Sequence, residues 1–180
     1  MTANPSPKTP PPIRMGDRSD LARKTKAADE ARRKTVAEFR SQIYQDIMAL
    51  LDIADRLTLD LSRHEDRYGL EWLGLARQIG AHYKIDVLKI VPDFHARVLS
   101  KDGAHCLPKV LYRHFLDFAN ECLEFLKWAR APVGENAAAG QAEDLPMQAC
   151  QRFRKACVEM RQQICIFENE RAPGEDSFFA

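Results

Sequence analysis

No CxxC pair occurs in this chain, and its five cysteines, Cys106, Cys122, Cys150, Cys157 and Cys165, are an odd number. That pattern argues against a disulfide framework, and the five read as buried thiols. Long apolar runs are missing too. No uncharged stretch approaches the ~20 residues that a membrane-spanning helix needs, so no membrane is expected among the partners. The opening MTANPSPKTPPPIRMGDR has no apolar segment behind its charges, unlike a secretory signal, and a cytoplasmic location is expected. HExxH, GxxxxGK[ST], GxGxxG and GxSxG are also absent, which removes the common metalloprotease, phosphate-binding, dinucleotide and hydrolase signatures. No cofactor and no metal is expected.

What is present is helical. Half of the ten prolines fall in the first twelve residues, where fixed φ and missing amide donors keep the chain extended, so residues 1–18 read as a disordered Pro-rich tail. From Ser19 or Asp20, either of which can cap a helix, neither Pro nor Gly recurs before Gly69, and one long helix is predicted over about 20–63. Its apolar residues Val36, Phe39, Ile43, Ile47, Leu50, Ala54, Leu57 and Leu61 step by three or four and gather into one stripe. Residues 21–35 lack large apolar side chains apart from Leu21 and read as a charged extension.

A second helix is predicted over about 66–84 with Leu70, Leu73, Ala76, Ile79 and Tyr83 inward, Gly74 and Gly80 permitting close approach of another backbone. The segment DVLKIV has strand-like composition, and Pro92 reads as the start of a separate short helix, 92–101. Pro108 opens a strongly patterned helix, about 107–130, carrying Leu111, Phe115, Phe118, Cys122, Phe125 and Ala129. Residues 131–144, small and acidic with Pro132, Gly134 and Gly140, bury too little apolar surface to offset ordering entropy and read as a flexible linker. A last amphipathic helix over 145–169 follows, with Met147, Cys150, Phe153, Cys157, Met160, Ile164 and Phe167 on one stripe. The tail 170–180, acidic and then aromatic, fits a short docking peptide and a frayed terminus equally.

The chain carries little net charge, +1, but ten Lys/Arg face five Asp/Glu in the first 40 residues. A basic arm of this kind can contact nucleic acid or an acidic partner, or be a solvated segment. His105, Cys106 and His114 are the one local grouping that resembles a metal set, at a spacing that matches no familiar site. Cys122, Cys150 and Cys157 fall on apolar stripes, where burial disfavours the thiolate that nucleophilic catalysis needs.

Two families are resembled. Arg77 and His82 form Arg-x4-His, similar to the motif of the all-helical HEPN ribonucleases, in which such a pair would stabilise phosphate and move protons without metal. Here Gln78 stands where that family usually carries its polar residue after the arginine. LLDIADRL (50–57) and GLEWLGLARQIGAHYKIDVLKI (69–90), within residues 31–92, resemble the helix pair of GrpE, the nucleotide exchange factor of Hsp70 chaperones. The resemblance implies a cochaperone-like role with an Hsp70 as partner. The β-domain of that family has no counterpart, since residues 107–169 read as helices.

The expected architecture is all-α, a bundle of four or five helices (19–130, then 145–169) with one long N-terminal helix and flexible tails. The expected function is non-enzymatic protein–protein interaction, adaptor- or cochaperone-like, through coiled-coil-type seams. Ile43, Ile47, Leu50, Ala54, Leu57, Phe153, Met160 and Ile164 are the expected interface, with each other, a second copy or another chain. The alternatives are a HEPN-like ribonuclease through Arg77 and His82, and a nucleic-acid-binding accessory protein through the basic arm.

Overall fold

The computed structural model describes residues 15–64, 69–130, 145–175 and 177–179. It is an all-α bundle: no strand occurs among the described residues, and five helices follow in order. They are α1 (Met15–Ser62), α2 (Gly69–Leu99), α3 (Lys101–Cys106), α4 (Lys109–Arg130) and α5 (Leu145–Glu170). Residues 1–14 of the expected Pro-rich tail and the expected linker 131–144 lie outside the described residues. Residues 15–18 do not belong to that tail, because α1 already begins at Met15. After Pro12 no residue forbids helical backbone angles, and Gly16 falls in the first turn, where it costs little.

By contact the chain divides into two compact units, 1–36 and 37–180. In the first, every described side chain from Asp20 to Thr35 is exposed. Its local bonds are those of a solvated helix: the Thr25 hydroxyl donates to the Leu21 carbonyl at 2.9 Å and that of Thr35 to Ala31 at 3.1 Å.

The second unit holds the hydrophobic core. Ile43, Ile47, Leu50, Ala54, Leu57 and Leu61 of α1 are fully buried, with Leu51 and Ile53 widening the stripe. α2 buries Trp72, Ala76, Tyr83, Val87, Val91, Phe94 and Val98. With buried Gly80 these residues step by three or four without interruption through Pro92, whose ring is on the exposed side. The expected break there is therefore absent, and 85–99 is neither a strand nor a separate helix but the second half of α2. Proline in a helix interior removes one amide bond and crowds the preceding turn, at a cost of ~3 kcal/mol. Burying side chains the size of Val91, Phe94 and Val98 returns about 1.5–3 kcal/mol each, so the packing wins.

α2 ends where Ser100 turns the chain. The Ser100 hydroxyl donates to the Arg97 carbonyl at 2.7 Å and accepts from the Gly103 amide at 2.9 Å, capping α3. A Cβ on Gly103 would lie 2.4 Å from the carbonyl oxygens of both Arg97 and Val98, so only glycine lets α3 seat against the end of α2. At Gly80, where another backbone was expected to approach, the side-chain ring of Trp128 from α4 packs instead. Gly74, for which the same approach was expected, has nothing within 4 Å of its Cβ position.

α4 and α5 pack together through Phe125 and Phe153, stacked at 4.7 Å, while Phe94 of α2 meets Phe118 of α4 edge-on at 5.3 Å. α5 is thus part of the same unit as α2 and α4. Polar links tie α1 to its neighbours: Asp46 accepts from Arg97, Asp60 from the Tyr83 hydroxyl, and Asp55 pairs with Arg154 of α5.

Candidate functional site

The residues expected to form a partner seam are fully or almost fully buried in this chain. Ile43, Ile47, Leu50, Ala54, Leu57 and Ile164 have no exposed area, Phe153 retains 1% and Met160 2%. Within this chain they belong to one hydrophobic core cluster.

Arg77 and His82 sit in the middle of α2, half-buried and exposed respectively. Five helical residues rotate the side-chain direction by about 140°, so one chain does not bring the two together on a face. His82 packs edge-on against the Tyr83 ring at 5.4 Å.

Burial suppresses thiolate chemistry at three cysteines. It pushes the Cys150 thiol up to about 12 and raises Cys122 and Cys157 strongly, with the neighbouring Cys157 adding to the effect at Cys122. Cys165 departs from the expectation of five buried thiols: it is exposed, one position beyond the stripe residue Ile164. His105 and His114 are exposed on either side of buried Cys106. Among the described residues, no group of three His, Cys, Asp or Glu side chains is placed to hold a metal ion.

The best-defined assembly of polar and aromatic groups lies at the C-terminus. After α5, Ala172 to Glu175 form a turn, closed by the Glu175 amide on the Ala172 carbonyl at 3.1 Å, with Gly174 at φ +98. A left-handed backbone favours glycine there. Beyond the turn Phe178 is completely buried, its ring parallel to that of Phe115 at 6.1 Å, with the Arg40 guanidinium 5.9 Å from its centroid. Phe179 is half exposed and meets Tyr44 edge-on at 4.9 Å.

The backbone of this segment is held by side chains. Arg40 donates through Nη1 to the Ser177 carbonyl at 2.7 Å and through Nε to the Cys106 carbonyl at 2.6 Å. The Glu168 carboxylate accepts from the Ser177 hydroxyl at 2.9 Å and from the Phe178 amide. Of the two sequence readings of this tail, frayed or docked, the structure has it docked, and on its own chain. The signal in the sequence was the Phe-Phe pair; its receptors, Arg40, Phe115 and Glu168, are scattered over three helices and carry no shared motif. An open groove of about 370 Å³, lined by Val110, His114, Ile166, Phe167 and Arg171 among others, lies between α4 and α5 and includes Glu175 of the turn.

Comparison with protein families, with curated proteins and with solved structures finds no match for this chain.

Proposed function

We propose that this protein is a non-enzymatic helical interaction module, adaptor- or cochaperone-like, whose partner-binding element is the first stretch of α1. The observation that carries this reading is the exposure of every described side chain from Asp20 to Thr35 of α1. A solvated helical stretch of this length is marginal on its own in water, and a partner's surface supplies the burial it lacks. Seven Lys/Arg against four Asp/Glu over residues 15–36 favour a partner with an acidic face. No helix among the described residues is long and apolar enough to cross a membrane.

The GrpE resemblance makes an Hsp70-type chaperone the first partner to test. Nucleotide exchange itself is not proposed, because the described residues include no strand from which a β-domain could be built.

The same cluster of cations supports a second reading, contact with nucleic acid. One experiment separates the two. Affinity purification of the full chain is compared with a variant carrying Arg23→Glu, Arg32→Glu and Arg33→Glu, substitutions that keep good helix formers in place. The proposal expects a protein partner retained by the native chain after nuclease treatment and lost with the variant. Recovery that depends on intact nucleic acid supports the second reading, and equal recovery with both chains contradicts both.

A further inference from the structure

The C-terminal segment has the chemistry of a bound peptide. Its described residues, 177–179, have no regular secondary structure, and an exposed turn, 172–175, follows α5. Its described anchors are one buried ring and side-chain hydrogen bonds to a carbonyl, an amide and a hydroxyl. Peptide-recognition sites use these same elements: an aromatic pocket for one side chain, and fixed donors and acceptors for the backbone on either side of it.

The receptor is built from rigid parts. Arg40 is on α1, Phe115 on α4 and Glu168 on α5, and Arg40 is itself fixed by the Cys106 carbonyl at the end of α3. If the tail leaves, the guanidinium and the carboxylate each lose a partner in a part-buried site and the face of Phe115 meets water. An empty pocket is therefore unfavourable, and whatever replaces the tail must offer the same groups.

We propose that the pocket framed by Arg40, Phe115 and Glu168 is a docking site for an extended segment of a partner protein presenting a hydroxyl residue followed by phenylalanine, with the chain's own Ser177 and Phe178 closing it as a cis ligand. The tether gives the tail an effective concentration in the millimolar range, so the closed state dominates and an incoming peptide must compete with it. The site is independent of the first stretch of α1, and its test does not depend on the role given to that stretch.

The test uses the full chain carrying Phe178→Ala and a fluorescent peptide with the sequence of residues 174–180, GEDSFFA, followed by anisotropy. The proposal expects saturable binding to the variant, at least ~10-fold tighter than to the native chain, because the native pocket is occupied by its own tail. A control peptide with alanine in place of the first phenylalanine should not bind. A folded variant that leaves the peptide free, or a native chain that binds it equally well, overturns the proposal. So does a native dimer in light scattering that the Phe178→Ala chain does not form, since the pocket would then serve a second copy.

Should the variant fail to fold, the native chain still decides. Carboxypeptidase followed by mass spectrometry is expected to remove Phe178 well below the melting temperature, because the tail opens locally. Resistance at Phe178 up to the global transition means the ring is an ordinary part of the core and overturns the proposal.

Discussion

The two stretches of α1 share one continuous helical backbone and almost nothing else. From Ile43 to Leu61, apolar residues every three or four positions are buried in the hydrophobic core, and charges there have named partners: Asp46 with Arg97, Asp55 with Arg154. From Asp20 to Thr35, alanine, threonine and charged residues leave one large apolar side chain, Leu21, which is 67% exposed. Helix propensity is satisfied in both stretches, so propensity does not distinguish them. What differs is whether a face exists to bury, and this decides which stretch contributes stability and which is available for recognition.

The largest effect is expected from Leu50→Asp. It places an unpaired carboxylate at a position with no exposed area, a class of change that costs more than about 4 kcal/mol and exceeds much of a domain's stability. Loss of the cooperative melting transition checks it. The matching change in the other stretch, Leu21→Asp, is expected to stay within about ±0.5 kcal/mol. A comparable loss from both would erase the contrast.

Gly103→Ala is expected to fall between these, at about 1–3 kcal/mol, because its methyl group meets two backbone carbonyls rather than a side chain that can swing away. The gain in helix propensity, ~1 kcal/mol, offsets only part of that. Chemical denaturation should show a lower midpoint with an unchanged slope.

A smaller effect concerns Asp46. Burial raises its pKa above the ordinary 3.8, although hydrogen bonds from Gln42 and the charge of Arg97 act the other way. Between the unfolded and folded values the folded chain holds the proton more tightly. The group's contribution to stability is then full below about 3.8 and declines as pH rises through the folded value. Asp46→Asn removes this dependence. Its stability relative to the native chain should improve as pH rises from 4 to 7 in parallel urea titrations.

The stripes of α1, α4 and α5 were legible in the sequence because each repeats its apolar residues over several turns with no competing signal. α2 does not announce itself as one helix, although Tyr83, Val87, Val91, Phe94 and Val98 keep helical spacing throughout. The β-branched run and Pro92 are local signals of a break, and a buried face of that length outweighs them. The helix end at Leu99 depends on Gly103 fitting against two carbonyls, which no local pattern announces.

The expected seam residues are buried, but a stripe alone does not say whether the surface that covers it belongs to the same chain. The docked tail shows the same limit from the other side. Phe178 was visible as an aromatic near the end, whereas Arg40 lies 137 positions from the Ser177 carbonyl it holds.

Native-state hydrogen exchange along α1 tests the central contrast most directly. Amides from 43 to 61 are expected to exchange only on global opening, and those from 21 to 35 at least ~100-fold faster, with the slower rate extending to residue 21 when the partner is bound. Uniform protection along the whole of α1 in the isolated chain would contradict the division of the helix into a stabilising stretch and a recognition stretch.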